Sequence, residues 1–303
     1  MTTVTPALPA PGRLRTYASF VRFEHTLFSL PLILAGVFSH PGSALTAARW
    51  AVVAVAAVGA RTAAMTLNRV IDRHIDARNP RTLSRELPAG RMKLAEAIAL
   101  LVVSTAVYLA ACAALGAWYL RMAVIPFAVF ALYPYLKRYT PLCHAGVGLA
   151  LALAPLAGFA AAHPSLEGNA AALALALFAL GWVTGFDIIY ATLDESFDRA
   201  HGIRSMVVWL GRERALRVSW FLHVAAMLAL GEAVRRMIFA GPAAPHVLWG
   251  VVTVACFVAT VLLLWLEQKW AEDVNLAFFR TNVVVGFLVL ATVLAARMTA
   301  GGL

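Results

Sequence analysis

The chain of 303 residues is 62% apolar and 13% charged, against about 25% charged residues in an ordinary soluble protein, so a soluble fold is excluded. Its net charge of +10 does not mark a nucleic-acid binder, because the basic residues are distributed as membrane topology demands. Cys112, Cys143 and Cys256 stand singly inside apolar stretches, which excludes a disulfide framework and a thiolate metal site.

A bilayer core about 30 Å thick takes about 20 apolar residues per helix. Nine runs qualify, 16–38, 48–76, 94–114, 117–137, 141–162, 169–198, 213–238, 244–267 and 275–298. They predict an all-α, multi-pass membrane protein with nine transmembrane helices, a single domain over 15–303 behind a flexible Pro- and Thr-rich tail, 1–14. The tail and the connections after every second run hold 18 of the 25 Lys and Arg, which places the N-terminus in the cytoplasm and the C-terminus outside. The first run is too long for a signal-peptide core and should stay in the mature chain.

That first run carries Val21-Arg-Phe-Glu-His25 near its inner end. Ionisable residues at such depth normally face a cavity or a partner, so Arg22, Glu24 and His25 are site candidates; an interfacial Arg–Glu pair is the plainer alternative. The second run ends in Asn68-Arg-Val-Ile-Asp72-Arg-His-Ile-Asp76, and four-residue spacing puts Asn68, Asp72 and Asp76 on one helical face. Like charges so placed cost roughly 0.2–0.5 kcal/mol per pair, and a bound divalent cation is the simplest reason for them. Arg61 lies deeper on the same face, where it either holds an oxygen of a second substrate or pairs with Glu24. The connection that follows, 77–93, contains Arg78, Arg81 and Arg85, basic charges suited to a polyanion.

The third to fifth runs say less. The fourth ends in Tyr133-Pro-Tyr-Leu-Lys137-Arg-Tyr139, a basic, aromatic turn that reads equally as interfacial belt or site. The fifth, rich in Ala and Gly with Pro155 inside it, reads as closely packed. The sixth bears Asp187, Tyr190, Asp194 and Asp198, with Arg204 beyond. Read as one helix of about 29 residues, it would set the three aspartates on one face and lift Asp194 and Asp198 toward water, as the second run lifts Asp72 and Asp76. At a constant offset of 122, Asn68, Asp72 and Asp76 match Tyr190, Asp194 and Asp198, a weak internal duplication. In the last three runs, Glu232, Arg235 and Arg236 form an outer charge group, and Phe278-Phe-Arg-Thr-Asn282 is a polar set read as structural.

Carboxylates with one amide suit Mg²⁺, which bridges a few carboxylates to substrate phosphates. His74 and His201 are out of phase with the aspartates, so zinc is not indicated. Two acidic clusters ringed by Arg and Lys in an apolar setting fit a departing diphosphate that carries a long isoprenoid. An ion-coupled membrane transporter also places acids within helices, but near the bilayer midplane rather than at helix ends.

Asn68-xxx-Asp72-xxx-Asp76, Asn79-Pro-Arg-Thr, Arg85-Glu-Leu-Pro-Ala-Gly90, Tyr133-xxx-Lys137 and Asp187-xx-Tyr190-Ala-xx-Asp194-xxx-Asp198-xxx-Gly202-Ile-x-Ser205 resemble the signatures of the UbiA superfamily of intramembrane prenyltransferases. The resemblance runs from the first run to the ninth. It implies a bundle around a central cavity, capped on the cytoplasmic side by loops near 77–93 and 199–212. It implies Mg²⁺ at Asn68, Asp72, Asp76, Asp194 and Asp198, with Asp187 as a further ligand candidate. Diphosphate contacts carry over to Lys137, Arg78, Arg81, Arg204, Tyr133 and Tyr190, and Arg22, His25 and Arg61 bound the acceptor pocket. The partners implied are a polyprenyl diphosphate, an aromatic acceptor and the lipid bilayer. The loops look most like those of 4-hydroxybenzoate polyprenyltransferases and of relatives that prenylate a dihydroxynaphthoate for menaquinone. Arg69 departs from the first group, where an aspartate often follows the asparagine, and leaves the acceptor open.

Overall fold

A computed structural model describes residues 12–22, 26–42, 45–239, 246–269 and 276–302, with the side chains of 26–28 and 276–279 left aside. His25 and Glu24 lie outside the described residues, as does almost all of the tail. Every described element is a helix: α1 (Arg13–Phe20), α2 (Thr26–Phe38), α3 (Ala47–Asp76), α4 (Leu94–Leu115), α5 (Ala117–Met122), α6 (Val124–Tyr139), α7 (Cys143–Ala162), α8 (Ala170–Ala191), α9 (Glu195–Ala200), α10 (Met206–Leu210), α11 (Arg212–Ile238), α12 (Val247–Lys269) and α13 (Leu276–Thr299).

Among the described residues, eight stretches are long and apolar enough to cross a bilayer, α5 and α6 together making one of them, 117–139. Among the described residues the first run, 16–38, falls short of a ninth span. It breaks at Val21–Arg22, where Arg22 takes φ +50, and leaves only Ser29–Phe38 as a short apolar helix. The fourth run divides at Ala123 between α5 and α6. Valines and leucines left exposed on α4 (Val102, Val103) and α12 (Val251, Val254, Leu262) suit a hydrocarbon surround rather than water.

The expectation of one long sixth helix is corrected. α8 stops at Ala191 after 22 residues, a turn follows, and Asp194 stands at the N-cap of the separate helix α9. Asp187, Asp194 and Asp198 therefore do not share one helical face. Thr192 closes the first helix by donating from Oγ1 to the Ile189 carbonyl at 2.7 Å, and the Asp194 amide donates to Ala191 O at 3.1 Å. Such local side-chain bonding competes with helix continuation without any Gly or Pro.

α8 is the buried centre of the bundle, packed between α7 and α11, and its Leu175, Phe178 and Trp182 join Leu32, Leu230, Met237, Val285, Val289 and Val293 in the largest apolar cluster. α2 closes on α7 and α13, α3 packs on α4 and α6, and α6 packs on α7. Small residues permit these approaches: a Cβ on Gly158 would lie 1.9 Å from the Ile33 carbonyl oxygen, and one on Gly36 would lie 2.0 Å from that of Pro155. The space inside the bundle is bordered by α2 to α8.

Candidate active site

α3 runs unbroken for 30 residues, about 45 Å at 1.5 Å per residue, and so carries Arg61, Asn68, Asp72 and Asp76 along one rigid element. The expected elevation of the aspartates into water is corrected: Asp72 is 2% and Asp76 is 4% exposed. Basic groups from neighbouring elements cover them. Lys137 Nζ lies 2.6 Å from Asp72 Oδ2, Arg138 Nη2 lies 3.3 Å from Oδ1, and Asn68 Nδ2 donates to Oδ2 at 3.2 Å. Arg85, in the loop after α3, donates through Nη1 to both carboxylate oxygens of Asp76 at 2.8 Å.

The same loop reaches the second acidic cluster. Asn79 Nδ2 donates to Asp194 Oδ1 at 2.9 Å, Arg81 Nε donates to the same oxygen at 2.8 Å, and Arg81 Nη2 pairs with Oδ2. Burial works to raise the Asp194 pKa, but the Arg81 hydrogen bonds and charge and the Asn79 hydrogen bond outweigh it, holding the carboxyl below its usual range. The Arg81 guanidinium is shifted upward by the same bond, against its own burial. Asp198 differs. Burial, and then the charge of Asp194, push it up to about 6, opposed by a hydrogen bond from Ser205 and the charge of Lys137.

Asp187 sits apart, on α8, where Oδ2 lies 2.7 Å from His144 Nδ1 of α7. The Met206 amide donates to His144 Nε2 at 3.3 Å, so Nδ1 carries the proton that Asp187 accepts. His144, Arg138 and Arg85 were not singled out for these roles in the sequence. Their partners lie far along the chain or on another helix, and only the basic character of the loop and of the Lys137-Arg138 turn signals two of them.

A cavity of about 980 Å³ opens below this polar layer. At its polar end stand Arg22, Asn68, Arg69, Arg81, Arg85, Asp187 and Tyr190, with Arg61 and Tyr133 also on the wall. Its apolar remainder includes Leu115, Trp118, Tyr119, Phe130, Leu151 and Ala157. The structure thus brings Arg22, Arg61, Asn68, Arg81, Tyr133, Asp187 and Tyr190 to one space. Asp72, Asp76, Asp194, Asp198 and Lys137 form the charged layer beside it rather than its wall. Two expected diphosphate contacts stay outside. The exposed side chain of Arg78 makes no hydrogen bond or ion pair among the described residues, and Arg204 donates to the Tyr139 carbonyl at 2.7 Å, tying the loop after α9 to α6.

As a test for a divalent cation, the polar layer offers carboxylate and amide oxygens from α3, its following loop and α9, a hard donor set of the kind Mg²⁺ takes. Among the described residues no three acidic, His or Cys side chains converge at ligand distance; arginines and a lysine occupy the carboxylates instead. The donors fit in kind, and the basic partners are of the type that also binds phosphate oxygens.

Residues 29–296 match the model of the UbiA prenyltransferase family. The chain is 31% identical over 243 residues to a 4-hydroxybenzoate octaprenyltransferase of Xanthomonas campestris pv. campestris, covering 75% of this chain and 77% of that one. A protein of the same name from Legionella pneumophila subsp. pneumophila is 30% identical over 166 residues, 54% of this chain and 58% of its own. The fold matches the structure of a UbiA homolog from Aeropyrum pernix K1 with a TM-score of 0.77 at 32% identity, over 88% of this chain and 95% of that chain. It also matches a UbiA homolog from Archaeoglobus fulgidus bound to GPP and Mg²⁺, with a TM-score of 0.71 at 18% identity over 93% and 99% of the two chains, a likeness of fold. The chain belongs to the UbiA prenyltransferase family and is a multi-pass membrane enzyme of the prenyltransferase class.

Proposed function

We propose that this enzyme transfers a polyprenyl group from its diphosphate to an aromatic hydroxy acid of the 4-hydroxybenzoate type, in quinone biosynthesis and with Mg²⁺. The observation that carries the reading is the cavity itself. An apolar space of about 980 Å³ ends in Arg22, Asn68, Arg81 and Arg85, directly beside the two aspartate clusters. An isoprenoid needs the first part and its diphosphate the second. The name of the Xanthomonas relative supports the acceptor class, and the Archaeoglobus homolog, bound to GPP and Mg²⁺, supports the donor and the metal.

In this reading Asn68, Asp72, Asp76, Asp194 and Asp198 hold the cation, with Asp187 as a further candidate, and Mg²⁺ supplies charge neutralisation for the leaving diphosphate. Arg81, Arg85 and Lys137 add fixed positive charge to the same end, and Tyr133 and Tyr190 add hydroxyls. The bond from the prenyl C1 to the diphosphate oxygen breaks as a bond from C1 to an aromatic carbon forms, and the ring then loses its proton to water or a base. The apolar walls keep water from the allylic centre while its positive charge develops. Arg22 and Arg61, cations on the cavity wall, bound the acceptor. His25, outside the described residues, belongs to the same proposal by its place in the chain directly before α2. The aspartate clusters and the loops beside them face the cytoplasm, the side on which the basic residues are concentrated.

A second acceptor, a dihydroxynaphthoate of the menaquinone route, is favoured by one feature, Arg69 in place of an acidic residue after Asn68. The test is turnover by the purified protein with Mg²⁺ and a radiolabelled polyprenyl diphosphate, offering both acids in parallel. A lipid-soluble product from one acid, lost with EDTA, is expected. No product from either acid, with no binding of the diphosphate, would overturn the reading.

A further inference from the structure

Arg69 lies on α3 between Asn68 and Asp72, is 4% exposed, and borders the cavity beside Arg22 and Arg85. Its Nε donates to the Phe20 carbonyl at 3.4 Å, while its buried Nη1 has no partner among the described residues. The other basic groups of this layer are committed: Lys137 and Arg138 to Asp72, Arg85 to Asp76, Arg81 to Asp194. The acidic charges nearest Arg69 are committed as well. Asp76 is held by Arg85, and Glu86 accepts from Ser19 Oγ at 2.7 Å and pairs with Arg91 at 3.7 Å. Arg22 and Arg85 meanwhile face it with like charge. A guanidinium buried with no carboxylate of its own and with an unfilled donor is costly, and within membrane proteins such a group marks a ligand path.

We propose that Arg69 is a substrate-binding and specificity-determining residue, whose buried guanidinium receives an anionic oxygen of a substrate at the cavity mouth. The proposal rests on the reading of the cavity as the meeting place of a prenyl diphosphate and an aromatic acid. The shared chemistry is an oxyanion, either the carboxylate of the acid or a terminal oxygen of the diphosphate. Arginine suits either, since its planar fork offers more than one N–H to such a group. The Phe20 carbonyl, at the end of α1, takes Nε and fixes the plane of the fork, which leaves Nη1 to the ligand. Because Phe20 is fully buried, that anchor does not shift with solvent.

The experiment compares full-length wild type, Arg69→Gln and Arg69→Lys in detergent, with KM measured separately for the prenyl diphosphate and for the acid. Calorimetry on the same samples follows binding of inorganic pyrophosphate, of 4-hydroxybenzoate and of its carboxamide. A hydrogen bond to a charged group is typically worth enough for a ten- to hundredfold effect, so Arg69→Gln should raise one KM by about that factor with kcat little changed. Loss of the preference for acid over carboxamide assigns the carboxylate; weakened pyrophosphate binding assigns the diphosphate. Arg69→Lys, which keeps the charge but not the fork, should recover part of the loss, and it decides the matter should Arg69→Gln fail to fold. Unchanged KM values and unchanged binding of both anions in a folded variant overturn the proposal. A wild type that transfers no prenyl group to any acid sinks the functional reading, while the binding arms still decide whether Arg69 holds an oxyanion.

Discussion

Arg81 and Asp194, separated by 113 positions, meet in a two-point ion pair in which Nε donates to Oδ1 at 2.8 Å and Nη2 to Oδ2. It joins the loop after α3 to the start of α9, and with Asn79 on the same carboxylate it sets the two acidic clusters against each other. The pair is partly exposed, 44% for the Arg81 side chain and 15% for Asp194, so its worth to stability is small, at most about 1 kcal/mol. Its value lies in position. Arg81→Ala should leave the melting temperature nearly unchanged and lower kcat/KM by about a hundredfold, as a misplacement of about 1 Å does. Equal losses in both quantities would instead make the pair a structural clamp.

The metal assignment predicts a different pattern. Asp72→Ala and Asp198→Ala should each cut turnover by about a hundred- to a thousandfold, because removing a charge-stabilising group from a transition state costs that order. Both variants should insert in the membrane as wild type does. EDTA should give the same loss in wild type, reversed by added Mg²⁺. Wild-type-like activity in either variant removes that residue from the site.

Asp198 should also give the enzyme a pH signature. A carboxyl raised on folding contributes stability while it is protonated, complete below about pH 4 and lost as the pH climbs through about 6. Asp194, lowered on folding, has the opposite sign: its contribution is present at neutral pH and lost as pH falls through the acid range. Asp198→Asn should therefore melt higher than wild type above about pH 7 and equally near pH 4, whereas Asp194→Asn should melt only slightly lower at neutral pH, within the small worth of its pair with Arg81. Because a cation binds the ionised carboxylate, the Mg²⁺ concentration for half-maximal rate should rise in wild type as pH falls below about 6. Melting curves and Mg²⁺ titrations across pH 5 to 8 check both statements, and a flat Mg²⁺ requirement would separate Asp198 from the metal.

The first half of the site was legible in the sequence because α3 is continuous, so spacing alone aligned Asn68, Asp72 and Asp76 and placed Arg61 behind them. The second half was not, because α8 ends at Thr192 through a side-chain hydrogen bond that no Gly or Pro announces. The break at Arg22 was hidden likewise, since a positive φ at a non-glycine residue is set by surroundings rather than by type. Composition read the membrane class correctly but put Asp72 and Asp76 nearer to water than they are. The cover over them, Arg85 and Arg138, comes from a loop and a helix whose placement is tertiary. His144 on Asp187 belongs to the same kind, a pair 43 positions apart that only packing of α7 on α8 makes.

On its α2–α7 side the cavity is bounded by two helices whose backbones nearly touch. Leu32 and Ile33 of α2 and Ala154 and Ala157 of α7 line the cavity, and the glycines between them set how close the two backbones lie. At Gly158 an added methyl would stand 1.9 Å from the Ile33 carbonyl oxygen and 3.0 Å from the Val37 nitrogen, both backbone atoms of a helix that is itself held by α13. No side chain can swing aside, so α2 must move as a whole. Overpacking of this kind typically costs about 1–3 kcal/mol, and Gly158→Ala should fall near the upper end because the clash is with backbone. Gly12, where an added methyl would meet nothing within 4 Å, serves as control, and Gly12→Ala should be neutral. Thermal unfolding in one detergent compares the two. If Gly158→Ala melts with wild type, the close approach of α2 to α7 is not a constraint on the fold, and the wall of the cavity is softer than this packing implies.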